Sequence, residues 1–199
     1  MKTILLFLSF FYAIGNTFSQ DHYADSLTAE RKKHEKEFLS QVLNEEERKI
    51  HPEICFFPVD KSFIVEADFV KDVGSAFAMP MSKERTVYYR KMGTLSFRIN
   101  DTLCTLNVYQ NLDLAGKKEY KNYYFVPFKD ATTAVSTYGA GKYLDCYFNK
   151  KTKKVKIDFN TSYHPYCAYS DRYSCPIVPK ENTIPVSITA GECYVGHNE

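Results

Sequence analysis

Residues 142–160 read KYLDCYFNKKTKKVKIDFN. Leu144, Cys146 and Phe148 alternate with Tyr143, Asp145 and Tyr147. Beyond the lysines at 150, 151, 153 and 154, Val155, Ile157 and Phe159 alternate with Lys156, Asp158 and Asn160. Successive side chains on a strand point to opposite faces, so a period of two on both sides of a polar turn marks an antiparallel hairpin with one apolar face. Matching the apolar faces with Phe148 against Val155 sets Cys146 opposite Ile157, Leu144 opposite Phe159, and Asp145 opposite Asp158. Two facing carboxylates repel, so this register calls for a cation, a shared proton or nearby hydroxyls, with Lys142, Lys156, Tyr143, Tyr147 and Asn160 as local suppliers. The competing reading leaves both acids exposed or bonded to loop N–H groups, because a slip of two residues separates them.

Working outward, the same period recurs. Leu95, Phe97 and Ile99 alternate with polar residues, Asn100-Asp101 marks a tight turn, and Cys104, Leu106 and Val108 alternate on the way back. Further strands are expected over 63–69, 86–90, 123–128 and 184–189, with Pro127 placing the third of these at a strand end or a sheet edge. Ahead of Pro52 the pattern is helical. Asp25 or Ser26 offers a cap, a charged run covers 29–37, and Phe38, Leu39, Val42 and Leu43 form an apolar stripe. Asn44, with Glu47 three residues on, opens a second short helix. Glu30 and His34 share a helix face that the surrounding charges mark as solvated rather than metal-binding. The expected fold is mainly β (α+β), an antiparallel β-barrel or sandwich of about 8 to 9 strands with one or two N-terminal helices.

The 199 residues are 44% hydrophobic and include 16 tyrosines and 15 phenylalanines, ample for one core. Met1-Lys2, the apolar run over 4–14 and Asn16-Thr17-Phe18-Ser19-Gln20 have the charge, length and polar end of a secretory signal peptide, cut near Ser19 or Gln20, with an uncleaved anchor as the alternative. The chain then divides into a leader over 1–20, a helical segment over 21–52 and a β-rich domain over 53–199. The apolar run is too short to favour a membrane span, and no second candidate follows it. Without a cysteine at the cut, a bacterial lipoprotein is not expected. Location is read as exported, periplasmic or extracellular. Losing the leader removes one of 26 basic residues and none of 24 acidic ones, so the charge is near balance and argues against nucleic acid. The lysine cluster is read as a solvated hairpin tip. Nothing in the sequence signals an oligomeric state.

Six cysteines, Cys55, Cys104, Cys146, Cys167, Cys175 and Cys193, form an even count that permits disulfides in an exported chain. Cys167 and Cys175, spaced C-x7-C, are read as a disulfide stapling the loop that joins 163 to 182. Two buried free thiols, or a redox or metal site, are the alternatives. No G-x-S-x-G, P-loop, H-E-x-x-H or paired C-x-x-C occurs. Tyr138-Gly139-Ala140-Gly141 leads into a strand, so it lacks the helix N-terminus that receives a nucleotide phosphate. His164 and Cys167 as base and nucleophile are set aside, because such close sequence neighbours rarely face one another. Asp130, Asp145, Asp158 and Asn160 carry oxygens that suit a divalent ion, but in no known ligand spacing, so no metal or cofactor is assigned.

Several motifs together resemble the C-terminal signature of the bacterial and archaeal family called domain of unknown function 1684. They are Pro127-Phe128-Lys129-Asp130, Thr137-Tyr138-Gly139-Ala140-Gly141-Lys142-Tyr143-Leu144-Asp145, Asp158-Phe159-Asn160, Cys167-Ala168-Tyr169, Tyr173-Ser174-Cys175-Pro176, Glu181-Asn182 and Ala190-Gly191-Glu192. A weaker likeness reaches back to about residue 35. Lys142 stands where the family usually has Arg, and His164 where it usually has Asn. If that Arg grips an anion through two parallel hydrogen bonds, Lys142 holds it only as a point charge. The family has no settled activity, so the resemblance implies a shape and a site region but no catalytic roles.

The function expected is that of a non-enzymatic envelope protein. It binds a small polar ligand, such as a sugar or an amine, on the Asp145/Asp158 face beneath the loop of tyrosines. The residues expected around that ligand are Asp130, Thr137, Tyr138, Lys142, Tyr143, Asp145, Asp158, Asn160, Tyr163, His164 and Tyr169. The alternatives are a hydrolase using the two aspartates as acid and base or as ligands of a divalent metal, and a structural or assembly protein.

Overall fold

A computed structural model describes residues 17–194. The expected leader lies outside the described residues except for its last four positions, which begin a helix. That helix, α1 (Thr17–Gln41), is longer than the sequence pattern indicates, with Asp25 and Ser26 in its interior rather than at a cap. The helix α2 (Glu45–Ile50) begins as expected: the Asn44 side chain accepts from Glu47 N–H while the Glu47 carboxylate accepts from Asn44 N–H.

Seven strands follow among the described residues: β1 (Ile64–Lys71), β2 (Ala76–Met79), β3 (Val87–Ile99), β4 (Thr102–Asn111), β5 (Tyr123–Phe128), β6 (Lys142–Tyr147) and β7 (Lys154–Asp158). A short helix, α3 (Leu112–Ala115), lies between β4 and β5. All strand pairs are antiparallel, in the order β6-β5-β4-β3-β1-β7, with β2 on the outer end of β3. The β3–β4 hairpin forms as read, turning at Asn100 with a φ of 49°. The expected 142–160 hairpin does not form. β6 pairs with β5 and β7 with β1, at opposite ends of the strand order, so Asp145 faces Phe125 and Asp158 faces Ile64. Both strands nevertheless turn Leu144, Cys146, Val155 and Ile157 into one interior. Alternation fixed the buried face and left the partner open.

The sheet curls without closing. Phe148, just past β6, stacks on Tyr124 of β5 at 4.4 Å and meets Phe69 of β1 at 4.9 Å, bridging strands that two others separate. Phe159, just past β7, packs on Phe97 of β3 and Phe128 of β5. The result is a half-barrel of seven strands, not the 8 to 9 expected. The difference lies partly at 184–189, which is irregular. Pro185 withholds an N–H there, and Ile184, Ile188 and Ala190 instead enter the core as a plug on the open side.

A register shift between Lys91 and Gly93 lets β3 serve two faces. Before it, Val87 and Tyr89 join Tyr109, Phe125 and Tyr143 on the outer face; after it, Leu95, Phe97 and Ile99 point inward. A Cβ on Gly93 would lie 2.4 Å from the Phe69 ring and from Val70 O, so only glycine fits where the strands press together.

β4 and β5 share one register pair, Tyr109 with Phe125, and splay beyond it. The fully buried Asn182 amide fills the gap. Its Oδ1 accepts from Asn107 N–H at 2.9 Å, and its Nδ2 donates to Asn107 O and Pro127 O at 2.9 and 2.7 Å. Replacing Asn182 by Ala orphans three buried backbone groups, and is expected to lower the unfolding free energy by about 3 kcal/mol. The check is a fall in urea midpoint at constant m; an unchanged midpoint would mean that water takes over all three bonds.

Cysteine pairing also departs from expectation. Cys55 and Cys193 are joined, with Cα atoms 5.0 Å apart, whereas Cys167 and Cys175 are free, as are Cys104 and Cys146. The join follows from two distant segments running side by side: Cys193 N–H donates to Cys55 O at 2.9 Å, beside the bridge of Phe56 with Glu192. Sequence spacing carries no trace of that. Thiol titration of the denatured protein is expected to count four groups without reductant and six after it; six in both conditions would remove the pairing.

Candidate functional site

The outer face of the sheet, α1 and the loop over 163–176 enclose an open cleft of about 690 Å³. The helix wall is set by few anchors, because most of α1 is polar or charged. Leu27 and Phe38 are buried, the Tyr23 hydroxyl donates to Asp158, and Arg31 donates from Nη1 and Nη2 to Phe57 O and Asn160 O, both at 2.8 Å. These contacts bring Glu30, Arg31 and His34 to the cleft. Glu30 and His34 are exposed to solvent, as expected, and border this concavity.

Asp145 lines the cleft from β6. Its Oδ1 accepts from the hydroxyls of Tyr123 at 2.8 Å and Tyr163 at 3.0 Å. No basic side chain pairs with it among the described residues, and Oδ2 takes no hydrogen bond there. Solvent reaches the carboxylate, yet crowding raises its pKa, with the two phenols pulling the other way. Burial and the same carboxylate push both phenols upward, so they act as donors throughout the ordinary pH range.

Glu192 forms a second acidic point on the cleft. Its Oε2 accepts from His164 N–H at 2.7 Å and the Tyr169 hydroxyl at 2.9 Å, while Oε1 lies 3.8 Å from His34 Nε2. Gly191, with φ of 76°, brings Glu192 there; a Cβ at that position would fall 2.1 Å from Ser162 Oγ. Burial outweighs the hydrogen bonds and lifts Glu192 to about 7. His164 is equally buried and falls to about 3, through burial and then the Lys142 charge. Its Nε2 accepts from Tyr138 N–H at 3.2 Å, which leaves the proton on Nδ1, 3.6 Å from Glu192 Oε2.

Beneath lies a closed ion pair. Lys142 Nζ is 3.2 Å from Asp130 Oδ2 and donates to Ile188 O at 2.7 Å and Ala190 O at 3.3 Å, both side chains being within 1% of full burial. Asp130 Oδ1 also accepts from Thr132 N–H and Oγ1, and Thr132 Oγ1 contacts Thr137 Oγ1 at 3.1 Å. Lys142 holds its own chain's oxygens, so Asp130, Thr137 and Lys142 form scaffold below the cleft.

Of the expected site residues, the cleft brings together Tyr143, Asp145, Asn160 and Tyr163. Tyr138, His164 and Tyr169 support Glu192 or its neighbour from behind. Asp158 is elsewhere: Oδ1 caps the turn at Asn160 and Oδ2 accepts a hydrogen bond from the Tyr23 hydroxyl. The facing of Asp145 and Asp158 across one hairpin falls with the hairpin. At the rim, Cys167 N–H donates to Cys175 Sγ at 3.3 Å. The Cys175 thiol's hydrogen bond brings Cys167 down to about 7 and pushes Cys175 itself up. No three His, Cys, Asp or Glu side chains among the described residues converge as metal ligands. Sequence reasoning missed Glu192, Arg31, His34 and Tyr123 as site residues. Only Glu192 left a signal, inside the Ala190-Gly191-Glu192 motif.

Glu192 makes stability pH-dependent. A carboxyl whose pKa rises from 4.5 to about 7 on folding contributes stability that is full below pH 4.5 and lost as pH rises through 7. His164, depressed from 6.5 to about 3, contributes stability that is full above pH 6.5 and lost as pH falls toward 3. Glu192→Gln is expected to abolish the first loss, on the order of 3 kcal/mol, and keep the second. Urea midpoints from pH 4 to 8 check this; parallel curves for variant and parent would remove Glu192 as the source.

The family model described as a protein of unknown function (DUF1684) matches residues 50–193. The match starts after α1, so it spans the sheet and loop walls of the cleft and not the helix wall. The solution NMR structure of an uncharacterized protein of Haloarcula marismortui is similar, with a TM-score of 0.66 and 28% identity, covering 89% of this chain and 97% of that one. No curated protein matches the chain. The family match takes in all seven strands and the segment that carries Glu192, and the chain belongs to the DUF1684 family of proteins of unknown function.

Proposed function

We propose that this chain is an exported binding domain that holds a small polar ligand in the cleft between α1 and the outer face of the sheet. The observation carrying this reading is Asp145, a carboxylate lining a cleft of about 690 Å³, with two phenols on one oxygen and no basic partner among the described residues. Sites for small ligands commonly span about 300–1,000 Å³ and combine apolar walls with a few placed polar groups. Here Tyr89, Tyr123, Phe125, Tyr143 and Tyr163 supply the walls, and Asp145, Glu192 and Asn160 the polar points. Supporting export are the leader-like start of the sequence and the joined Cys55 and Cys193, a pairing suited to an oxidising compartment.

The test is thermal unfolding of the full chain against a panel of sugars, amines, amino acids and carboxylates. A ligand present at about 100 times its Kd adds about 2.7 kcal/mol, which raises Tm by roughly 5–10 °C in a chain of this size. Leu114→Trp, which adds bulk to the cleft from α3, is expected to abolish the rise. Compounds that act equally on the variant, or a panel with no active member, would overturn the reading. Export is checked by N-terminal sequencing of protein recovered outside the cytoplasm, expected to begin near Asp21.

A further inference from the structure

Resting on the cleft as a ligand site, we infer that its ligand class is an organic cation, a protonated amine or quaternary ammonium, seated over Asp145 among tyrosine rings. Three independent features of the cleft converge on that chemistry.

The first is charge. Asp145 carries two phenol donors on Oδ1 and nothing on Oδ2 among the described residues, and no Lys, Arg or His pairs with it there. A carboxylate that faces a ring-lined cleft without a counter-charge favours a cation there over a neutral or anionic guest. Glu30 and Glu192 border the same space.

The second is the state of the basic groups on the helix wall. Arg31 turns one N–H of each Nη to Phe57 O and Asn160 O, its Nε is buried without a partner, and its guanidinium lies over the Phe56 ring at 4.8 Å. His34 is held toward its neutral form by burial. An anion would therefore find the guanidinium held against backbone oxygens and an aromatic ring, and would meet three carboxylates, Glu30, Asp145 and Glu192, on the same lining.

The third is the geometry of the rings. Phe125 and Tyr143 meet at 4.8 Å and 77°, and Tyr143 and Tyr163 at 5.8 Å and 89°. Successive perpendicular rings give a wall that offers both faces and edges, and a ring face attracts a cation. Tyr123 and Tyr163 spend their hydroxyls on Asp145 itself, so rings and carboxylate are fixed relative to each other. A neutral polyol would use the carboxylate oxygen but leave its charge uncompensated and the ring quadrupoles idle.

The probes are choline and its neutral isostere 3,3-dimethylbutan-1-ol, with glucose and acetate as controls, followed by calorimetry and thermal shift on the full chain. Choline is expected to bind at least about tenfold more tightly than the isostere. Asp145→Asn, which keeps the shape and the phenol contacts, is expected to cut choline affinity about tenfold or more. Tyr163→Leu is expected to weaken it further by removing a ring, while Tyr163→Phe retains most of the binding. Equal binding of the two isosteres, or an unchanged choline affinity in Asp145→Asn, would overturn the cation assignment. Glucose or acetate binding that Leu114→Trp blocks would overturn it while leaving the cleft as a ligand site. Silence from all four probes at about 10 mM would overturn the cation assignment, whereas the wider reading is decided by the broader panel.

Discussion

Lys142 rises from the first position of β6 into the interior, and each oxygen its ammonium meets belongs to another part of the chain. Asp130 follows β5, and the carbonyls of Ile188 and Ala190 belong to the irregular C-terminal segment. A buried ammonium depresses its own pKa through lost hydration, and here the carboxylate opposes that shift. The arrangement ties the irregular C-terminal segment to the open side of the curled sheet, beside the short parallel contact of Lys129 with Thr183 and the hydrogen bond from Ala131 N–H to Val186 O. Gly191 and Glu192 come directly after the second carbonyl, so the position of the deepest acid on the cleft depends on a charge that never reaches solvent.

The lower layer of the molecule was therefore legible in the sequence as a motif but not as a role. Lys142, Asp130 and Glu192 were all quoted in the stretches that carry the family likeness, yet their chemistry emerges only when 130, 142 and 188–192 meet in space. The strands tell a similar story. The β3–β4 hairpin was readable because the turn at Asn100 is local and both strands alternate around it. The 142–160 hairpin was misread because alternation says which side of a strand is buried, not which strand lies beside it; β7 crosses the open side to pair with β1, some ninety positions earlier. His34 is read from the sequence as part of a solvated face and is exposed, but the sequence does not show that this face borders a cleft, because the apolar stripe of α1 begins only at Phe38.

The cleft itself is a product of that polar helix. A helix with a broad apolar stripe would lie flush on the outer tyrosines, whereas α1 touches the domain through Leu27, Phe38 and Leu39 and through polar contacts of Tyr23, Arg31, His34 and Glu35. The space left between them is bordered by rings from the sheet and by acids from three separate segments. Helix composition, loop chemistry and strand facing thus all contribute to the same hollow, and none of the three would create it alone.

The one-residue offset at Lys91/Gly93 makes β3 a strand whose odd-numbered positions serve the outer face at one end and the interior at the other. A lineage carrying this fold has little freedom to gain or lose an amino acid between Tyr89 and Leu95, because either change would turn a whole row of side chains to the wrong side at once. Length changes in the connection between α3 and β5 move nothing across the sheet. Related chains of unequal length can diverge there and still share one interior.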